Sequence, residues 1–351
     1  MEPFTIATAT MEYAQNIFIR VHTDEGIYGA GECSAFPSIV GETQATCFEL
    51  AKDFASIWKG KDPLALEERM ISLEQYCPGN PTIQSAFDMA LHDLAARKAG
   101  LPLYRFLGGG KKEMETDLTI GIGTPADMAL AARRYIDKGV RILKIKLGKN
   151  GPEDVERIRR IREMVGPGPR IRIDANQGWT FPEAQSALQA MAGFDIQFCE
   201  QPMRTLQDRL LPELRKTTSI PIMADESAFN QADAVRLIES GSCDLVNIKL
   251  AKSGGILEAR RIHDACRERK VPCMLGGMLE SRIGLTAFGH LAMACDNVVF
   301  YDLDTCLLGH RVDPAIGGIR FRGYFLEIPD EPGIGADAQD SFLAHCERAA
   351  I

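Results

Sequence analysis

The sequence predicts an α/β fold: a modified TIM barrel of (β/α)7β type, with an N-terminal α+β capping domain that the C-terminal tail completes. Three observations carry this. Lys146, Asp174, Glu200, Asp225 and Lys249 recur at steps of 28, 26, 25 and 24 residues, about one strand–loop–helix–loop unit. Each of the five ends a short apolar, β-rich run, as at a barrel mouth. Before about residue 116 the order is different, with strands first and helices after, which marks a separate α+β unit.

The elements follow in order. Residues 13–33 read as a hairpin, in which Ile17, Ile19 and Val21 alternate with Phe18, Arg20 and His22. Asp24, Glu25 and Gly26 supply its turn. From 43 to about 99 the pattern is helical; Pro63 opens one helix, and 85–99 is strongly amphipathic up to the stop at Gly100 and Pro102. Gly108, Gly109 and Gly110 read as a linker. Strands are expected near 117–122, 141–147, 170–175, 195–200, 220–224, 244–249, 271–276 and 298–303, with helices between them, 153–165 being the clearest. Eight such strands argue for a closed parallel barrel. Pro314, Gly317 and Gly318 suit irregular chain in place of an eighth helix. A strand at 324–328 and a short helix are expected to pack back on the cap. The expected divisions are 1–110 for the cap, 111–322 for the barrel and 323–351 for the tail.

A chain of 351 residues with 45% hydrophobic residues and a formal net charge of −8 has ample core and no basic block. Nucleic acid and anionic membrane are thereby excluded as partners. The ten cysteines form no CxxC or zinc-like spacing and read as small buried hydrophobes in a reducing compartment. No secretory leader and no membrane-length apolar run is visible, so the expected location is the cytoplasm.

The chemistry lies at the strand ends. Residues two apart on a strand share a face, so Lys144 and Lys146 both point into the mouth. Asp174, Glu200 and Asp225 form an oxygen-only set with no histidine at any strand end. That suits Mg²⁺, with Mn²⁺ also compatible, and not zinc. Any one acid alone reads equally well as a helix cap; three in step do not. Lys249 lies four strands from Lys146, on the opposite wall. A substrate held by the metal then sits between two ammonium groups, whose mutual repulsion, with the metal, is expected to lower both lysine pKa values. One base on each face of a carbon next to a carboxylate means proton removal, an enediolate, and inversion. Asp302 and Asp304 share a face at the eighth strand end and suit a substrate ammonium. Gly276 and Gly277 allow close backbone approach to a ligand, a phosphate being the competing reading there.

Lys144-x-Lys146, Asp174, Glu200, Asp225 and Lys249 together resemble the enolase superfamily, muconate-lactonizing-enzyme subgroup. A lysine base with Mg²⁺ is that superfamily's own chemistry and comes with the resemblance. Asp302-x-Asp304, the run from Asp174 to Trp179, and Met278, Leu279, Glu280 and Ser281 resemble its dipeptide epimerases. The resemblance implies one Mg²⁺ per subunit on Asp174, Glu200 and Asp225, with Lys146 and Lys249 as the two acid/base groups. It implies substrate contacts from Thr119, Lys144, Asn176, Met278, Leu279, Asp302 and Asp304, and a specificity loop carrying Phe36 and Ile39. The partner it implies is a small dipeptide; a homo-oligomer is left open. Two departures stand out. The family has a strand before the Pro3–Phe4 region, where this sequence starts, so either the start is recorded late or the cap sheet lacks a strand. Ala9 stands where Ala-Glu epimerases carry an arginine, and the 33–41 loop is apolar. The expected substrate is therefore a small or hydrophobic, Ala-Ala-like dipeptide, inverted at its C-terminal residue. The alternatives are an L-Ala-D/L-Glu epimerase, or an N-acylamino-acid racemase, o-succinylbenzoate synthase or muconate cycloisomerase on the same site. A metal-free Schiff-base aldolase and a non-catalytic binding barrel are the rivals of other classes.

Overall fold

A computed structural model of the chain describes residues 3–351. It opens with a small hairpin, β1 (Phe4–Thr5) and β2 (Thr10–Met11). Next come β3 (Gln15–His22) and β4 (Tyr28–Ala35), antiparallel and in register from Gln15–Ala35 to His22–Tyr28. Ile17, Cys33 and Ala35 turn inward onto Phe54, Trp58 and Phe87 of the helices Gln44–Trp58 and Pro81–Lys98. Among the described residues this cap sheet has two strands.

β4 lies directly on the backbone of the helix Pro81–Lys98. A Cβ on Gly29 or Gly31 would stand 2.0 Å from the carbonyl oxygen of Ala90 or Ala86. Gly31→Ala is therefore expected to destabilise the chain by roughly 3 kcal/mol, the upper part of the overpacking range. A denaturant titration checks this; an unchanged midpoint would show that the strand yields freely.

The helix Pro81–Lys98 departs from the amphipathic expectation. Every residue from Thr82 to Ala96 is buried. The cause is its position, with β4 on one side and the barrel segments Leu250–Ser253 and Ile256–Glu268 on the other. Its polar stripe is bonded inside the protein instead of solvated. Asp88 accepts from the Ile256 N–H, and Asp93 accepts from Ala30 N–H at 2.8 Å and Ile334 N–H at 2.6 Å. Buried polar groups require such partners.

The barrel comprises β5 (Leu118–Ile120), β6 (Ile142–Lys146), β7 (Arg170–Asp174), β8 (Ile196–Glu200), β9 (Ile222–Ala224), β10 (Leu245–Ile248), β11 (Cys273–Gly276) and β12 (Val298–Asp302). They form one eight-stranded parallel sheet in chain order. Asp117 N–H to Tyr301 O and Leu303 N–H to Thr116 Oγ1, at 3.3 and 2.9 Å, bring β12 round to β5. Inside, Phe198, Met223, Leu245 and Met274 fill the lower barrel. Above them Arg172 lies over the Phe198 and Phe300 rings and binds Asp117 at 2.7 Å. The helix expected at 153–165 spans Gly151–Val165, because Asn150 caps it by accepting from Glu153 N–H.

After β12 the chain makes a 3₁₀ turn, Thr305–Leu307, where the eighth helix would stand. β13 (Ala315–Gly317) then pairs with β16 (Ala336–Ala338), and β14 (Arg320–Arg322) with β15 (Phe325–Glu327). Arg20 and Tyr28 of the cap hairpin both bind Asp337. No described helix is long and apolar enough to cross a membrane.

Candidate active site

The strand register lines the catalytic candidates up. Lys146 pairs with Asp174, and Asp174 with Glu200, along adjacent strand ends. Asp225 follows β9, Lys249 follows β10, and Gly276 pairs with Asp302 at the end of β12. Three backbones are held in the left-handed region at these ends, Asn176 at φ 40°, Gln177 at 67° and Gln201 at 33°. Such conformations at non-glycine residues are held by surrounding structure and cluster at functional sites.

Asp174, Glu200 and Asp225 are fully buried. Each has one oxygen tied down by the protein. Asp174 Oδ1 accepts from Asn176 N–H, Glu200 Oε1 from Asn247 Nδ2, and Asp225 Oδ1 from Lys252 Nζ, all at 2.8 Å. The second oxygens face the lysines. Lys146 Nζ lies 2.6 Å from Asp174 Oδ2, and Lys249 Nζ lies 2.9 Å from Asp225 Oδ2. Lys144 Nζ lies 2.7 Å from Glu200 Oε2 and 3.3 Å from Asp174 Oδ2. Glu200 Oε2 and Asp225 Oδ2 nevertheless receive no well-directed hydrogen bond. Each of these buried oxygens therefore keeps acceptor capacity that no hydrogen-bond donor fills. Oxygen donors, one per carboxylate, are of the type that suits a small hard divalent ion. The acids whose oxygens all lie within 4.8 Å of one another are a different set, Asp117, Asp302 and Asp304. Around Asp174, Glu200 and Asp225 the lysine ammonium groups stand between the carboxylates.

The protein's own charges act on Lys249 against the expected lowering. Burial does lower the Lys249 pKa, but the Asp225 and Glu200 carboxylates outweigh it and hold the ammonium well above its usual range. Lys144 is likewise raised, with burial outweighed by Asp302, Glu200 and Asp174. The expected lowering rested on lysine–lysine repulsion together with the metal; among the protein's own groups, repulsion by Lys144 is a smaller effect at Lys249 than the two carboxylates. Among the carboxyls, burial and the Asp174 charge push Glu200 up to about 7. The neighbouring Glu226 is pushed up to about 8 by burial and Asp225.

Beside this set, Lys144 Nζ binds Asp302 Oδ2 at 2.6 Å. Thr119 N–H binds Asp304 Oδ2 at 2.7 Å. Burial and the Asp302 charge push Asp304 up to about 7. Asp117 Oδ1 is buried without a partner. A dense group of acids is thus only partly neutralised by Lys144 and Arg172, which is the environment a substrate cation would fill.

Lys146, Lys249, Asn176, Gly277, Met278 and Leu279 line one narrow pocket at the mouth, together with Phe36 and Ile39. Phe4, Ile6 and Met11 of the β1–β2 hairpin close its far side, so the wall is apolar. Glu32 fixes the 278–281 segment. Its carboxylate accepts from Ser281 N–H and Oγ at 2.8 Å and from Gly284 N–H at 2.7 Å. A larger groove than this pocket lies elsewhere, along β3, the helix Gln44–Trp58 and the tail.

The structure also brings in residues that the strand-end spacing did not single out. Lys252 and Asn247 each anchor a carboxylate. Gln201 Oε1 accepts from Asp225 N–H at 2.9 Å and from Ser227 N–H at 3.2 Å, tying the 225–227 turn to β8. Lys252 had a visible signal, since it stands three residues beyond Lys249 in an apolar segment; Gln201 had none.

Comparison with known proteins bears on the family and the fold. The enolase C-terminal domain-like family matches residues 127–341, and the N-terminal domain of the mandelate racemase/muconate lactonizing enzyme family matches 1–108. A D-Ala-D/L-Ala epimerase of Cytophaga hutchinsonii is 42% identical, over 100% of this chain and 95% of its own. A hydrophobic dipeptide epimerase of Enterococcus faecalis is 38% identical, over 95% of each chain. A crystal structure of a Cytophaga hutchinsonii dipeptide epimerase, complexed with Mg and D-Ala-L-Val, superposes with a TM-score of 0.97 at 41% identity, covering 99% of this chain and 94% of that one.

Proposed function

We propose, for a chain that belongs to the enolase superfamily and within it to the dipeptide epimerases of the muconate-lactonizing subgroup, an Mg²⁺-dependent inversion of the C-terminal α-carbon of small or hydrophobic dipeptides. The observation that carries this reading is the pocket in which Lys146 and Lys249 meet beside Asp174, Glu200 and Asp225 under an apolar wall.

The residues divide the work as follows. Asp302 and Asp304 hold the substrate's free ammonium. Asp174, Glu200 and Asp225 would hold the metal, which when bound supplies positive charge to a substrate carboxylate as the α-proton leaves. Lys146 takes or returns that proton on one face of the carbon and Lys249 on the other. Asn176 and the Met278–Leu279 backbone position the substrate, while Phe36, Ile39, Phe4 and Ile6 exclude water and receive the side chain.

The test is a pool of L,L-dipeptides in D₂O with Mg²⁺, read by mass spectrometry. A one-dalton gain on small and hydrophobic dipeptides, abolished by EDTA, is expected. Exchange confined to N-acylated or succinylated amino acids would overturn the dipeptide assignment.

Side-chain preference has its own test. Ala9 packs half-buried in the apolar hairpin cluster over the pocket. Ala9→Arg places a cation there and is expected to raise kcat/KM for Ala-Glu relative to Ala-Ala about tenfold or more, as one charge-assisted pair would. An unchanged ratio would mean that the hairpin does not face the side chain.

A further inference from the structure

Lys252 is a buried cation that the proposed reaction does not use. It is 1% exposed, with its side chain fully buried. It donates to Asp225 Oδ1 and Asn247 O, both at 2.8 Å, and to Asp225 O. An ammonium has three N–H donors, so all are committed and the group has one place to sit. The turn Leu250–Ser253 sets this up, since Lys252 N–H bonds back to Lys249 O. Two lysines one turn apart thereby meet the two oxygens of one carboxylate, Lys249 at Oδ2 and Lys252 at Oδ1.

The anchors of the other two carboxylates are neutral: a backbone N–H at Asp174 and a carboxamide at Glu200. Asp174 and Glu200 meet a lysine on one oxygen each, whereas Asp225 meets one on both, and Lys252 also grips its backbone carbonyl. We infer that Lys252 is a positioning residue that restricts Asp225 to a single donor oxygen and so sets the cation selectivity of the site toward Mg²⁺ over Ca²⁺. This rests on the metal reading proposed above. The physical reason is coordination number. Mg²⁺ demands near-ideal octahedral geometry with few protein oxygens, whereas Ca²⁺ takes six to eight and accepts a carboxylate through both oxygens. Freed from Lys252, Asp225 can turn both oxygens to a larger ion.

The experiment is calorimetric titration of the metal-free protein with MgCl₂ and with CaCl₂, for wild type, Lys252→Met and Lys252→Gln, with thermal melts to establish folding. Lys252→Met fills the space without a donor and is expected to shift the Ca²⁺/Mg²⁺ affinity ratio toward Ca²⁺ by about tenfold or more. Lys252→Gln keeps two donors for three acceptors and is expected to fall between Met and wild type, near threefold. Should Lys252→Met not fold, the Gln variant decides alone, an unshifted ratio counting against the inference. A ratio unchanged in the Met variant, or shifted equally in both, overturns it while wild-type Mg²⁺ binding still stands. A wild type that binds neither ion overturns the metal reading and this inference with it.

Discussion

Lys249→Ala and Lys146→Ala are each expected to lower kcat/KM for dipeptide inversion by about 10³-fold or more, within the upper range for losing a positioned acid/base group. The distinguishing result is stereochemical. In the proposed mechanism one lysine serves each face of the α-carbon, so each variant would keep the base for only one epimer. Deuterium exchange without inversion should survive on one epimer in Lys146→Ala and on the other in Lys249→Ala. Loss of exchange on both epimers in both variants would mean that the two lysines act as a unit on one face. The charge distribution adds a condition. Lys249 keeps its proton as long as Asp225 and Glu200 face it uncompensated, because their charges outweigh the burial that would lower its pKa. Treatment with EDTA is accordingly expected to abolish exchange in the wild type, and added Mg²⁺ to restore it.

The barrel was legible because its signal is periodic. A βα unit of near-constant length puts chemistry-bearing residues at strand ends in step, and alternation on β6 aims Lys144 and Lys146 alike. The β3–β4 hairpin showed for the same reason, in its alternating Ile17, Ile19 and Val21. The helix Pro81–Lys98 misled because polar residues at helical spacing usually mean solvent; here Asp88 and Asp93 are polar to bind backbone across an interface. The balance of protein charges at Lys249 was hidden for a related reason. Spacing reveals which charges share a mouth but not that Asp225 lies 2.9 Å from Lys249, and that distance sets the sign. The supports of the site, Asn247, Gln201 and Glu32, act through bonds to residues 24 to 252 positions away, which no local pattern encodes.

Asp304→Asn and Asp302→Asn are expected to lower kcat/KM for dipeptides by about 10² or more, each removing a buried carboxylate from a charge-assisted contact with the substrate ammonium. The same variants should act less severely on N-acylated amino acids, which carry no ammonium, and equal losses on both substrate types would sink the assignment. The wild type offers a second readout through pH. Burial and Asp302 push Asp304 up to about 7, so in the free protein it takes a proton as pH falls through neutrality. Only the ionised carboxylate pairs with an ammonium. Dipeptide affinity is therefore expected to be full above about pH 7 and to weaken below it, the bound ammonium itself drawing the Asp304 pKa down. Asp304→Asn removes the titrating group and should flatten that limb of the KM profile, while a group elsewhere in the barrel would leave the limb in place. Thr119 N–H, 2.7 Å from Asp304 Oδ2, fixes the carboxylate in both states, so the change should be one of charge and not of position.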